Sequence, residues 1–459
     1  MQFNFEELLS NMRKYIIILF AGLLFLPGCN LYKKYESDAA VRENIMGDVV
    51  DAQDTLSIGD LSWREVFKDP ILQRLIDTAM VRNTDVRTAQ LSIEQAQNEV
   101  MSARWGYAPT LSFSPNISYG YQGNTHSYNV QLPVKASWQL GIFGQTRTNI
   151  RSAKAKLAYD EDYRQAVQVD LAANVANYYY SLVMLDRQLK ISEETEKLYE
   201  ESYETTQALY QAGIYNSPAV YEMQASLEDL RANIVDLRNQ IATTEASLCL
   251  LLVEPPHHIE RATFEEFEKP EKLHVGLPVR LLDARPDVRM AERNVEIAYY
   301  GTQQARQAFY PTLSIDGMIG YAGTFNAIGL IAEAVGSLAQ PIFQGGQLTA
   351  QLRNAKADQE KARLEFAYTL YNAGNEVYKY KKACETAEEK AEHIDIRVEA
   401  LQEAYNGTTE LMNHGSTTYL EVLTAQESLL SAQLTQVENR YEMIQALINL
   451  YTALGGFGK

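Results

Sequence analysis

From Leu111 to Leu140 the chain alternates apolar and polar residues in two runs of membrane length, and no other feature restricts its fold so tightly. Leu111, Phe113, Pro115, Ile117, Tyr119 and Tyr121 alternate with Ser112, Ser114, Asn116, Ser118 and Gly120. After a polar turn, "QGNTHS", the alternation resumes. Tyr128, Val130, Leu132, Val134, Ala136, Trp138 and Leu140 now oppose Asn129, Gln131, Pro133, Lys135, Ser137 and Gln139. Period two is the repeat of a strand, which points successive side chains to opposite faces. Each run is about the 9–11 residues that cross a bilayer when tilted. Tyr119, Tyr121, Tyr128 and Trp138 sit near the ends, as in an interfacial girdle. A hairpin packed on a soluble core is the alternative, but an inner face of Ser, Asn and Gly suits a water-filled lumen better.

The pattern occurs twice because the chain is duplicated. "TDVRTAQLSIEQAQNEVMSARWGYAPTLS" begins at Thr84 and "PDVRMAERNVEIAYYGTQQARQAFYPTLS" at Pro286, pairing Asp85 with Asp287 (287 − 85 = 202). The same offset relates Arg104 to Arg306, Pro109 to Pro311, Lys154 to Lys356, Gly213 to Gly415 and Leu227 to Leu429. A short length difference near Phe143 and Phe343 is recovered within a few residues. Solenoid repeats run about 20–50 residues, so this is one large unit copied, and each copy can be read once. The second hairpin, about 312–343, alternates cleanly to Tyr321, while its returning strand from about Leu330 is less regular.

Each copy places a helix before its hairpin, closed at an aromatic-proline stretch ("WGYAPT", "AFYPT"), since proline disfavours α conformation in the residue before it. Long helices follow the hairpin. Between Gln145 and about Ala212 there is no proline, and Ala153, Leu157, Val167, Leu171, Val175, Leu182 and Leu189 recur at helical spacing. At 1.5 Å per residue such a helix is a rod of roughly 100 Å. Gly213 suits a left-handed C-cap. Ser217-Pro218 then reads as an N-cap followed by proline at the first helical position, and a return helix runs to about Val253. The second copy predicts a helix from about Gly346, a turn at "NHGSTT" and a return from about Tyr419 to Leu454. Helices this long must line up as coiled coils or a tube.

Arg13 and Lys14 precede the apolar run Tyr15 to Leu26, too short for the ~20 residues of a membrane span but suited to a secretory signal. Met12 is read as the start. Leu26-Pro27-Gly28-Cys29 resembles a bacterial lipobox, with Pro27 in place of the more usual Ala or Ser. Cleavage would then leave Cys29 first, carrying acyl chains that tether the protein to a membrane. An ordinary signal peptide with an incidental cysteine is the alternative. Asn30 supplies no inner-membrane retention signal of the Asp kind. Cys249 and Cys384 are expected to pack as small apolar side chains. The three cysteines form no disulfide framework, and no CxxC or Cys/His spacing suggests zinc. His257, His258 and His274 fall in a proline-marked linker and carry no ligand spacing. A net charge of −18 argues against nucleic acid.

One copy of the chain supplies four membrane-length strands, whereas about eight is the fewest that close a spanning barrel, and lipid tolerates no open strand edge. An obligate homo-oligomer follows. A barrel continued by helices of roughly 100 Å is a conduit. No GxSxG, HExxH or phosphate loop offers a competing enzymatic reading.

"LLDARPDVRMAERNVEIA", "ARQAFYPTLS", "LAQPIFQGGQ", "WQLGIFGQTR" and "GSTTYLEVLTAQESLLSAQ" resemble the outer membrane factor (TolC-like) family, especially its lipoprotein branch. The resemblance runs from about Tyr32 to Leu454. It implies an α+β membrane protein: a trimeric 12-stranded outer membrane β-barrel with four strands per chain, continued by a long periplasmic α-helical barrel and built from two structural repeats. It also implies an exit duct of a tripartite efflux pump, with a periplasmic adaptor and an inner-membrane transporter as partners. No cofactor is implied beyond the covalent lipid on Cys29, and no nucleic-acid partner. On this reading 1–28 is the signal peptide and 29–80 the lipidated N-terminal segment with part of an equatorial region. Residues 81–254 are the first repeat, with its hairpin at about 110–141. Residues 255–280 form the linker, and 281–459 the second repeat. A periplasmic coiled-coil scaffold or adaptor lipoprotein without a pore is the alternative. An adaptor would carry a lipoyl-like β-sandwich around one helical hairpin, not two matching units.

In that family the gate lies where paired helices turn at the periplasmic tip, often lined by aspartates. The matching positions here are Thr417, Glu421 and Thr424, with Tyr215 and Glu222 as candidates from the first repeat. Gly213, Ser217, Pro218, Gly415 and Thr418 are expected to shape the turns. Thr418-Tyr419-Leu420-Glu421 also has the S/T-x-x-E spacing of a capping box, so Glu421 is read as a helix cap, a pore-facing carboxylate, or both.

Overall fold

A computed structural model describes residues 33–36, 62–123, 125–264, 285–324 and 327–456. The expected signal peptide, Cys29 and His274 lie outside them. The chain forms two compact units, and neither coincides with a sequence repeat. One comprises the described residues of Met1–Ser37, Gln97–Lys156 and Asn294–Ala362; the other comprises those of Asp38–Ala96, Leu157–Arg293 and Arg363–Lys459. Each unit therefore draws on both repeats.

The N-terminal segment gives α1 (Trp63–Val66) and α2 (Pro70–Arg82), and the first repeat gives α3 (Thr84–Trp105), β1 (Thr110–Phe113), β2 (Asn116–Gln122), β3 (Thr125–Leu140), α4 (Gln145–Gln211) and α5 (Ser217–Leu252). The second gives α6 (Pro286–Gln307), β4 (Thr312–Thr324), β5 (Ala327–Ala339), α7 (Gln347–Asn413) and α8 (Tyr419–Ala453). Among the described residues no helix is long and apolar enough to cross a membrane.

In the first unit the strands form one antiparallel sheet in the order β1-β3-β4-β5, with β2 also on β3. β1 and β2 are one lane interrupted at Ser114 and Pro115. Phe113 pairs with Val134 and Asn116 with Gln131, so the register carries through the gap without a bulge. Ser114 N–H donates to Pro133 O (3.3 Å), but Pro133 has no N–H with which to return the bond, which is why the expected continuous strand breaks there. The expected six-residue turn is also tighter, since pairing reaches Gln122 with Thr125. β5 corrects the expected irregular return: it pairs without a break from Ala327 to Ala339. Gly320 lies against β3 so closely that a Cβ would stand 2.3 Å from the Leu132 carbonyl oxygen. Only glycine allows Pro133 to pair there.

The duplication is visible in side-chain hydrogen bonds. Trp138 Nε1 donates to the Tyr107 carbonyl (2.9 Å), and Gln340 Nε2, 202 residues on, donates to that of Phe309 (3.0 Å). Thr110 Oγ1 donates to Ser137 O (3.1 Å) as Thr312 Oγ1 does to Ala339 O (3.5 Å).

In the second unit the main core gathers α1 and α2 against residues 169–183 of α4, the end of α5 and the end of α8. Phe67, Tyr179, Leu248, Leu252 and Tyr451 are almost wholly buried there. Buried hydroxyls need partners: Tyr179 O–H donates to Asp69 and accepts from Ala262 N–H, and Tyr451 O–H donates to Gly456 O (2.9 Å). The duplication recurs here too. Asn83 Nδ2 donates to Leu251 O (3.1 Å), and Arg285 NH1 donates to Ala453 O (3.0 Å). Cys249 and Cys384 are buried thiols.

Candidate functional site

Both helical hairpins turn by the same backbone device. In the first, Gly213 takes a φ of 75°, its N–H donates to Tyr210 O (2.9 Å), and Ile214 N–H reaches Leu209 O (2.9 Å). In the second, Gly415 has a φ of 69°, with Gly415 N–H on Met412 O (2.9 Å) and Ser416 N–H on Leu411 O (2.8 Å). This is the Schellman arrangement, which satisfies the last carbonyls and needs a left-handed residue at the glycine.

The helix starts correct the sequence reading. Asn216, not Ser217, is the N-cap of α5: its side chain accepts from Ala219 N–H (3.3 Å), and Pro218 falls at the second helical position. The first N–H groups of a helix have no internal partner, so proline is tolerated there as well. Thr418 is the N-cap residue of α8 but makes no side-chain cap bond. The expected capping box is absent, and the Glu421 carboxylate accepts from the neighbouring Thr417 hydroxyl. Glu421 and Thr418 are exposed. Thr424 turns its hydroxyl onto Leu420 O (2.8 Å) within its own helix.

Three residues from the two turns come together. The rings of Tyr215 and Tyr419 lie 5.4 Å apart at 56°. Tyr419 O–H donates to Glu222 Oε2 at 2.6 Å. The neighbouring carboxylate favours the neutral phenol, so Tyr419 is pushed up to about 12. The sequence reading names Tyr215 and Glu222 but passes over Tyr419; the one signal was an aromatic where the first repeat has Ser217. Ile214, Tyr221 and Leu420 expose large apolar surfaces beside the turns. Below them, Tyr199, Met223, Leu227, Leu230, Ile234 and Leu423 form a second buried cluster.

The other candidate surface is the sheet. Leu111, Phe113, Ile117, Tyr119, Tyr121, Leu132, Val134, Ile315, Ile319, Tyr321, Leu330 and Leu338 are exposed on one face. A solvent-facing apolar surface this broad marks contact with lipid or another chain. The opposite face carries Ser112, Asn129, Gln131, Lys135, Ser137, Asp316 and Glu333, with Met318, Ile331 and Val335 among them, so it is less uniformly polar than expected. Neither β5 nor the β1/β2 lane has a second neighbour among the described residues.

His258 Nδ1 lies 2.9 Å from Glu245, and His257 Nδ1 lies 3.5 Å from Cys249 Sγ. Among the described residues no group of His, Cys, Asp and Glu could hold a metal.

The profile described as "Outer membrane efflux protein" matches residues 75–253 and again 277–456, its two matches starting 202 residues apart (277 − 75 = 202). The chain is 28% identical to the toluene efflux pump outer membrane protein TtgC of Pseudomonas putida, over 97% of this chain and 96% of that one. It is 27% identical to the cation efflux system protein CusC of Escherichia coli K12, over 96% of this chain and 99% of that one. Among solved structures, CusC superposes with a TM-score of 0.82 at 26% identity, covering 93% of this chain and all of that one. The open state of the Neisseria gonorrhoeae MtrE outer membrane channel gives 0.80 at 25%, covering 93% and 98%.

Proposed function

The chain belongs to the outer membrane efflux protein family, and from that premise we propose how it acts as the outer membrane channel of an efflux system. Three copies close one wall, each contributing four strand lanes to a twelve-stranded barrel. The observation that carries this reading is the pair of unpaired sheet edges. A lone sheet with open N–H and C=O groups cannot persist in lipid, where each unsatisfied group costs several kcal/mol. Joining the β1/β2 lane of one copy to β5 of the next removes both edges at once. The apolar face then meets lipid and the mixed polar face lines water.

The acyl chains on Cys29 add an anchor to the same membrane. The helical hairpins form the periplasmic duct, and their turns are its entrance. There Glu421, Thr417 and Thr424 from the second repeat, with Tyr215 and Glu222 from the first, narrow the opening. The exposed Ile214, Tyr221 and Leu420 offer the apolar contacts a periplasmic adaptor would cover, and that adaptor links the duct to an inner-membrane transporter. The transporter supplies the energy; this channel conducts passively. Cargo is what the transporter delivers, small toxic compounds such as drugs.

Single-channel recording in planar bilayers tests the reading. Purified protein should give discrete conductance steps, and Glu421→Ala should raise the step size and weaken block by divalent cations, since crowded carboxylates favour cation binding. Absence of steps overturns the channel; unchanged conductance and block in Glu421→Ala removes Glu421 from the entrance.

A further inference from the structure

We propose that Lys135, Asp316 and Glu333 form a charged band on the lumenal face of the barrel that biases conduction toward cations, a function separate from the periplasmic turns. The inference rests on the three-copy channel described above. β1 to β5 contain no other Asp, Glu, Lys or Arg. All three lie on the mixed polar face and fall in two adjacent rows of it. Lys135 pairs with Met318 and Met318 with Glu333, while Asp316 pairs with Ser137, two residues along β3. Exclusion from lipid explains the choice of face. It does not explain the charges themselves, because Ser, Asn and Gln already wet much of that face, nor their gathering into one band.

In the structure the charges do not cancel as pairs. Lys135 and Glu333 are separated by a whole strand, about 10 Å across the sheet, and both are exposed. Asp316 is held instead by the hydroxyls of Ser137 (2.6 Å) and Ser314 (2.9 Å), which donate to the charged form. The two rows are about 7 Å apart along the strands, within the ~8 Å Debye length of physiological salt. A permeating ion therefore meets the band as one object of net charge −1 per copy, −3 for three copies. A ring of one net sign in a low-dielectric wall raises the local concentration of counter-ions.

Reversal potentials in planar bilayers under a KCl gradient test this, with every protein in the Glu421→Ala background so that the turns do not mask the band. The double variant Asp316→Asn, Glu333→Gln should lower the cation-over-anion permeability ratio about twofold, and Lys135→Gln should raise it. Should either variant fail to assemble, Glu333→Cys modified in the open channel by charged methanethiosulfonates gives the same reading: a cationic adduct should lower the ratio relative to an anionic one. Conductance steps with identical reversal potentials across these proteins overturn the band while leaving the channel intact. No steps from the parent protein overturn both.

Discussion

The two helical hairpins descend from one ancestral unit and turn by the same backbone bonds, yet they are fastened differently. In α4/α5, Arg231 donates to Glu196 (2.9 Å), to Glu228 (2.8 Å) and to Glu200, and Arg238 reaches Glu193 (2.8 Å). The positions in α7/α8 that duplicate Arg231 and its three carboxylates read Gln433, Val398, Leu430 and Gln402, with no charge among them, while Arg238 and Glu193 keep charged equivalents in Arg440 and Asp395. There a pocket of about 120 Å³ opens, lined by Gln402, Tyr405, Gln426, Leu429, Leu430 and Gln433 together with α4 residues. Gln426 is buried, with its Oε1 unpartnered and its Nε2 held only at 3.3 Å and 3.5 Å. α7/α8 is joined instead by Lys390–Glu442 (2.7 Å) and Gln436–Asp395 (2.7 Å). Duplication thus kept the backbone, where a left-handed conformation favours glycine, and released many of the side chains, where several solutions hold two helices together.

The largest expected effect separates the two hairpins by packing. Leu227 and Leu429 are equivalent positions, 3% and 7% exposed. Leu227 is enclosed by Tyr199, Met223, Leu230 and Ile234, whereas Leu429 borders the pocket. Truncation costs more where the surroundings cannot collapse. Leu227→Ala should therefore destabilise by about 3 kcal/mol and Leu429→Ala by about 2 kcal/mol, read from denaturant unfolding of the detergent-solubilised protein. Equal losses would mean the pocket does not loosen the second hairpin.

A smaller effect separates them by charge. Arg231→Gln leaves three carboxylates facing one another without their cation, whereas Gln433→Ala removes no charge. The first variant should lower the thermal midpoint by less than Leu227→Ala does, and the deficit should shrink by roughly half between 0.05 and 0.5 M NaCl, as exposed ion pairs are screened. The second should show no salt dependence. A deficit for Arg231→Gln that ignores salt would reassign the residue to packing through its aliphatic stem.

The sequence showed the strands because alternation is local and is imposed residue by residue, by lipid on one face and water on the other. It showed the hairpin turns because Gly213 and Gly415 are constrained by backbone geometry alone. It placed the N-cap at Thr418 correctly but misled at Ser217 and on the Thr418 capping box, where adjacent side chains decide in three dimensions: Asn216 caps one start, and at the other Thr418 makes no cap bond while Thr417 donates to Glu421. It gave no hint that the compact units cut across both repeats, since the contacts responsible join residues more than a hundred positions apart, such as Arg289 with Asp162 in one unit and Gln307 with Thr148 in the other. The Arg231 clamp was hidden because its carboxylates come from two helices, whose facing register only the folded hairpin sets.

The smallest expected effect concerns the bond that ties the two turns together. Tyr419 stands where the first repeat has Ser217, so only the second turn has a phenol at this position, and only the first has a carboxylate at the position of Glu222, because position 424 is threonine. The carboxylate opposes ionisation of the phenol by its hydrogen bond and its charge, and it holds Tyr419 up to about 12. With 29 tyrosines in the chain, the group is isolated by subtracting the phenolate absorbance of Tyr419→Phe from that of the wild type. The difference titration should centre near 12, and Glu222→Gln should return it toward the ordinary value of about 10. The linked stability has the same sign. Between the unfolded value near 10 and the raised folded value, the folded chain holds the proton that the unfolded chain has released, so the contact's contribution is complete below that window and is lost as pH climbs through it. A wild-type midpoint already near 10 would show that the phenol and carboxylate do not meet, leaving the turns joined only by the Tyr215–Tyr419 ring contact.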